Sequence, residues 1–281
     1  MGNTAGYTSL GEIRYFWEYL DRGDRLCGCG SALRGCPFWG PVIEELARDG
    51  RHDPALLAGL SQGLNRTRNL PIMTGERTAR SPAWRTLLAG TAALYEAVGR
   101  RASGSMLVDA SKVPSQLFLL KRVPDVDVRV LHLVRDSRAV AYSWQRRQKR
   151  EPAVRGGGAR MPRHSWLRSA LAWNTENRYT QRFASGLPYA VLRHEDFARR
   201  PRPELDRALS ALGLEADLSL LDRERLRLAP THSVGGNPLR FSRETVCIQA
   251  DEEWRSRMPV PVRIALGALT WPGLLRFGYG L

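Results

Sequence analysis

Residues 106–150 read MLVDASKVPSQLFLLKRVPDVDVRVLHLVRDSRAVAYSWQRRQKR. A short apolar run, Met106-Leu107-Val108, ends at Asp109, and the loop Ala110-Ser111-Lys112 follows it. Pro114 opens a helix-like segment that closes near Arg122. A second apolar run covers 128–134, rich in Val and Leu and bounded by charge. Short continuous apolar runs between helices read as buried strands of a parallel sheet. The second run passes into Arg135-Asp136-Ser137, where a helical pattern begins that Asp136 or Ser137 can cap.

Both strand ends deliver polar residues: Asp109, Ser111 and Lys112 from one, Arg135 from the other. In open α/β sheets ligands bind beyond the carboxyl ends of the strands. A helix N-terminus beside Arg135, Ser137 and Arg138 favours an anion. At roughly 3.6 residues per turn, Ser143 falls two turns into that helix and can face the same crevice as Arg135. Arg offers a planar fork to phosphate and Ser a single hydroxyl. Two readings fit these residues: a site for a phosphate-bearing ligand, or a capped helix with solvated arginines.

The same stretch carries a family resemblance. VDASK followed by VRVLHLVRDSRAVAYSW resembles the sulfotransferases that use 3′-phosphoadenosine 5′-phosphosulfate (PAPS). The likeness extends to Gly11-Glu12, the CGCG–CPFW segment, His194-Glu195-Asp196 and HSVGGNPLR. It implies that Arg135 and Ser143 hold the 3′-phosphate and that Arg240, in the GNPLR segment with Gly236 and Asn237, closes over it. It also implies that Glu12 is the catalytic base and that Lys112 stabilises charge on the transferring group. The family has Tyr where this chain has His194; an imidazole there can stack on adenine or hydrogen-bond to it. Taken alone, Glu12 also reads as a carboxylate favoured by a helix dipole, and Gly-Gly-Asn-Pro as an ordinary turn.

The chain has 281 residues, 43% of them hydrophobic, enough for one sizeable α/β domain over 1–281. Net charge is +15, and Lys112, Lys121 and Lys149 are the only lysines, so arginine supplies nearly all the positive charge. That bias fits a GC-rich genome or the handling of polyanionic nucleotides. No zinc-finger, RNP or basic-tail pattern points to nucleic acid. The start, MGNTAGYTSLGE, lacks a basic and apolar leader, and no apolar run is long enough to span a membrane. The expectation is a bacterial, cytoplasmic enzyme without an integral membrane segment or a nucleic-acid partner.

Four cysteines occur: Cys27, Cys29, Cys36 and Cys247. The Cys27-x-Cys29 gap is tighter than usual for zinc, and no His lies nearby in sequence. Reduced structural thiols are expected, with a local disulfide as the alternative, and no metal.

Elsewhere 37–48 and 82–101 read as amphipathic helices, with a polar, Arg-rich connection between them. Residues 151–162, with Gly156 to Gly158, form a loop that could cover an acceptor or merely connect. A long helix is expected over 164–184, a third strand over 187–192, a helix over 203–212, and a packed C-terminal helix and loop. The resemblance further implies a strand and a Gly/Ser/Arg-rich loop that wraps the 5′-phosphosulfate with backbone amides. No such loop occurs in these residues. The expectation is therefore that Met1 is an internal codon, that the central strand and phosphate loop are missing, and that this form is poorly soluble and inactive without about 30 further residues upstream.

The resulting reading is an α/β chain, a parallel sheet flanked by helices, resembling P-loop kinases in fold. Its implied reaction moves a sulfuryl group from PAPS, as co-substrate, to a hydroxyl or amine on a small-molecule, glycan or lipid acceptor. The rivals are a non-catalytic nucleotide-binding remnant and an ATP-dependent phosphotransferase. ATP has no 3′-phosphate for Arg135 and Ser143.

Overall fold

A computed structural model of the chain describes residues 1–74, 81–145, 163–222 and 225–280. The loop expected over 151–162 lies outside them. Contacts gather the described chain into two compact units, one from 1–128 and 227–244, the other from the remainder.

The first unit is organised on two parallel strands, β1 (Tyr7–Gly11) and β2 (Met106–Asp109). Strand β1 was not expected. Its run, Tyr-Thr-Ser-Leu, lies between Gly6 and Gly11, both at positive φ, which turn the chain into and out of the strand. Pairing runs from Tyr7↔Met106 to Ser9↔Val108 and then slips, so that Gly11 pairs with Asp109 and Leu10 is buried. The described helices of this unit are α1 (Phe16–Arg22), α2 (Trp39–Asp49), α3 (Pro54–Leu64), α4 (Pro82–Arg101) and α5 (Pro114–Leu120). Asp53 and Ser81 cap α3 and α4 from their N-cap positions, each with Pro just inside the helix. Helix α3 lies in the connection read as a loop and short helix. It packs Leu57 onto Gly90 of α4, where any Cβ would lie 2.6 Å from the Leu57 methyl carbon. Phe16, Trp39, Leu57, Leu87 and Val98 are fully buried; removing one such side chain from water is worth roughly 1.5–3 kcal/mol.

The second unit repeats the scheme. Strands β3 (Val130–Val134) and β4 (Tyr189–Arg193) pair in parallel, with Val130↔Tyr189 through Val134↔Arg193 in unbroken register. Parallel neighbours need a long crossover, and α6 (Ser137–Gln145) and α7 (Trp166–Ala184) provide its helices. Helices α8 (His194–Arg199), α9 (Pro201–Ala211), α10 (Glu253–Arg257) and α11 (Val260–Arg276) follow. Val134, Trp173, Leu274, Phe277 and Tyr279 form one core cluster. Trp173 lies on α11 at Gly273, where a Cβ would stand 2.5 Å from the ring, and its indole N–H donates to the Arg135 carbonyl at 2.9 Å. A small ribbon in the order β5 (Leu221–Asp222), β6 (Arg225–Arg227), β7 (Thr245–Cys247) completes the strands.

A parallel sheet lacking its central strand was expected. Among the described residues β2 pairs with β1 and β3 with β4, as two separate two-stranded sheets. The strands themselves were read from local apolar runs, whereas which strand pairs with which depends on contacts far apart in sequence. No described helix is long and apolar enough to cross a membrane.

Candidate active site

Three chain ends meet in the first unit. Gly11 forms a parallel bridge with Val234, the Val234 N–H donates to the Leu10 carbonyl at 2.8 Å, and the Glu12 N–H donates to the Val234 carbonyl. The segment before Gly235 therefore runs beside β1 as β1 runs beside β2. All three are parallel, so Glu12, the Asp109–Lys112 loop and the Gly235-Gly236 turn leave from the same ends. The close approach depends on Gly11: at φ 68 its Cβ position lies 2.5 Å from the Val234 carbonyl oxygen.

At this convergence the Lys112 ammonium donates to Glu12 Oε1 at 2.7 Å. The Glu12 side chain is 17% exposed and that of Lys112 65%, so a ligand can reach both. Among the described residues Lys112 is one of three non-glycine residues at positive φ, at 63°, a conformation that costs an L-residue about 1–2 kcal/mol. Half-buried Asp109 maintains it. One carboxylate oxygen accepts the Ser111 N–H at 2.8 Å and the Ser111 hydroxyl; the other accepts the Tyr95 hydroxyl at 2.7 Å. Burial pushes the Asp109 carboxyl above the usual range, against the hydrogen bonds from Ser111 and Tyr95. Ser111 also accepts the Arg14 N–H at 3.2 Å, which ties the loop to the turn after Glu12. Glu12 itself opens a short 3-10 turn, Ile13–Tyr15.

The Gly-Gly-Asn-Pro stretch lies against Glu12. Gly235, at φ 64, would place a Cβ 3.2 Å from the Glu12 Cβ, and Gly236, at φ 101, one 3.9 Å from Glu12 Oε1. Exposed Asn237 accepts the Leu239 N–H at 3.0 Å and starts the turn Pro238–Phe241. Arg240, expected on a phosphate, donates to the backbone carbonyls of Ser233 (2.8 Å) and Leu26 (3.1 Å), and so straps the turn to the cysteine segment.

Arg135, Ser143 and His194 belong to the second unit. Asp136 is the cap of α6: Oδ1 accepts the Arg138 N–H at 2.8 Å, and its carboxylate grips the Arg138 guanidinium at 2.7 and 3.0 Å. Glu195 Oε1 accepts the Asp136 N–H at 3.0 Å while the Tyr279 hydroxyl donates to Glu195 Oε2 at 2.7 Å. Arg138 is buried in these contacts and the Ser137 hydroxyl bonds that of Thr270 at 2.7 Å, so protein groups, not a ligand, serve this helix end. Arg135 remains. Its Nη2 stands 3.4 Å from the Asp251 carboxylate, and its buried Nε–H has no acceptor among the described residues. Burial lowers the His194 imidazole, and the Arg135 charge lowers it further. Ser143 is exposed on α6.

The sequence reading overlooked two features. A cavity of about 790 Å³ in the second unit is lined by Asp136, Arg138, Glu195, Trp254, Trp271 and Tyr279, and by none of the expected site residues. Its wall carries ion pairs, Arg138 on Asp136 at 2.7 Å and Arg199 on Glu252 at 2.8 Å. The other is a cluster of Cys27, Cys29, Cys36 and His232, a donor set able to hold a metal. No metal was expected because His232 lies far from the cysteines in sequence; a lone His beside the Gly-Gly-Asn-Pro turn was the available signal.

No family model and no curated protein sequence matches the chain. Among solved structures, the fold is similar to a sulfotransferase domain from the curacin biosynthetic pathway, at 15% identity and TM-score 0.46 over 98% of both chains. It is also similar to the sulfotransferase domain of the Synechococcus PCC 7002 olefin synthase, at 19% identity and TM-score 0.48, over 98% of this chain and 94% of that one.

Proposed function

We propose that the protein transfers a sulfuryl group from PAPS to a hydroxyl or amine on a small-molecule, glycan or lipid acceptor. The observation that carries this reading is the Glu12–Lys112 pair at 2.7 Å where three parallel chain ends converge. Transfer needs a base and a cation at one place. Glu12 takes the acceptor proton as the acceptor oxygen or nitrogen bonds to sulfur. The bond between sulfur and the donor's 5′-phosphate oxygen breaks, and 3′,5′-ADP leaves with the electron pair. Lys112 is assigned to the negative charge that grows on the sulfuryl oxygens. Gly235 and Gly236 keep side chains away from Glu12 and leave room for the acceptor.

The residues Arg135, Ser143 and His194 are assigned to the donor: Arg135 and Ser143 to the 3′-phosphate, His194 to adenine. The motif resemblance supports this, as does the buried Arg135 Nε–H that lacks an acceptor. Arg240 acts through the turn that it straps. The test is label transfer from sulfur-labelled PAPS to a panel of phenols, alcohols and amines, with protein expressed from its natural reading frame. Acceptor-dependent release of 3′,5′-ADP, matched by labelled product, is expected. Transfer from ATP instead of PAPS would establish the phosphotransferase, and tight 3′,5′-ADP binding with no transfer to any acceptor the non-catalytic remnant.

A further inference from the structure

We propose that Cys27, Cys29, Cys36 and His232 bind one zinc ion in a closed tetrahedral site that fastens the cysteine segment to the strand end carrying the Gly235-Gly236 turn. This assignment is independent of the transfer reaction.

The distances fit the ion. With Zn–S near 2.3 Å and Zn–N near 2.0–2.1 Å, a tetrahedron requires sulfurs about 3.8 Å apart and sulfur and nitrogen about 3.6 Å apart. Cys36 Sγ lies 3.6 Å from Cys27 Sγ and 3.7 Å from Cys29 Sγ. His232 Nδ1 lies 3.2 Å from Cys36 Sγ and 4.0 Å from Cys27 Sγ, and all four donor atoms fall within 4.8 Å of one another. The cysteines are free and the sulfurs stand well beyond the roughly 2.05 Å of a disulfide. A soft set of three thiols and an imidazole selects zinc among the common divalent ions.

The surroundings prepare the donors. The Cys27 N–H donates to the Ser31 carbonyl and the Gly30 N–H to the Cys27 carbonyl, both at 2.8 Å, closing a tight turn that presents Cys27 and Cys29 together. Backbone N–H groups of Phe38 and Trp39 point at the Cys36 sulfur, and that of Cys29 at the Cys27 sulfur, as thiolate ligands require. His232 is held by contacts other than the thiols. Its ring stacks on Phe38 at 5.6 Å and 9°, and its carbonyl accepts the Trp39 indole N–H at 2.7 Å. Gly28 lets the turn dock: its N–H donates to the Ser233 carbonyl at 3.0 Å, and a Cβ would meet the Thr231 carbonyl at 2.4 Å. The one-residue gap between Cys27 and Cys29 is thus filled by the residue type that this approach demands. Cys27 and Cys36 are 0% and 1% exposed, while Cys29 is half-buried and gives the ion a way in. With four protein ligands the site leaves no position for substrate.

The test is metal analysis of the purified full chain after dialysis against metal-free buffer, followed by cobalt substitution. About one zinc per chain is expected, released as the three clustered thiols are blocked, and the cobalt form should show tetrahedral bands with thiolate-to-cobalt charge transfer. Cys36→Ser and His232→Ala should lose the metal, whereas His232→Cys, which restores a fourth ligand, and Cys247→Ser, outside the cluster, should keep it. If the first two variants fail to fold, the wild-type zinc-release stoichiometry and cobalt spectrum decide. Folded wild-type protein that takes up well under one equivalent of zinc, octahedral cobalt bands, or a disulfide among these cysteines by mass would overturn the assignment.

Discussion

Lys112 shows how a single residue is set for chemistry. It sits in a left-handed backbone conformation, held by Asp109 through Ser111, and reaches Glu12 at 2.7 Å. Strain of this kind persists where the surroundings over-determine it. If Glu12 is the base, Glu12→Gln should leave 3′,5′-ADP binding unchanged and slow transfer by about 100-fold or more. Stopped assays against the wild type would show this; unchanged turnover would reduce Glu12 to the opening residue of a 3-10 turn. Both residues were singled out in the sequence from short motifs, and the structure brings their side chains together. His232 was not, since its partners, Cys27 and Cys36, lie on another segment and no local pattern records such a contact. Arg240 was expected on a phosphate; its use on two backbone carbonyls was not read, because an arginine fork suits carbonyls as well as phosphate.

At the scale of elements, the β3–β4 pair contains a buried histidine with a fixed tautomer. Asn177 Nδ2 donates to the Trp173 carbonyl at 2.6 Å, so its Oδ1 faces His132 Nε2 at 3.0 Å. Nε2 therefore carries the hydrogen, and Nδ1 accepts from the Tyr189 hydroxyl at 2.7 Å. Burial pushes the imidazole down to about 4. The folded state keeps His132 neutral while the unfolded chain protonates near pH 6.5. The contribution of His132 to stability is thus complete above pH 6.5 and is lost as pH falls towards 4. Between pH 7 and 4.5 it should decline by roughly 2–3 kcal/mol. Urea unfolding across this range should show the decline in the wild type and a correspondingly smaller one in His132→Phe; equal slopes would exclude His132 as the source. Strands β2, β3 and β4 and the long helices were legible because apolar periodicity is local. Strand β1 was not: Tyr-Thr-Ser-Leu-Gly lacks an apolar run and becomes a strand by pairing with β2.

At the scale of the molecule, a net charge of +15 makes every anion welcome, so affinity for a nucleotide alone proves little. Charges beyond a Debye length, about 8 Å at physiological salt, are largely screened. Discrimination between two nucleotides that differ by one phosphate must then come from direct contact, and Arg135 is the group assigned to make it. Among the described residues the parallel strands form two separate pairs, and the partner of β2 was missed because pairing joins residues remote in sequence. The most direct measurement is calorimetric titration of 3′,5′-ADP and 5′-AMP at physiological salt, with wild type and Arg135→Ala in parallel. A charge-assisted phosphate contact worth about 1.5–3 kcal/mol predicts a preference for 3′,5′-ADP of roughly tenfold to a hundredfold, which disappears in Arg135→Ala. Equal affinity of the wild type for the two nucleotides, or a preference that survives loss of Arg135, would contradict the account.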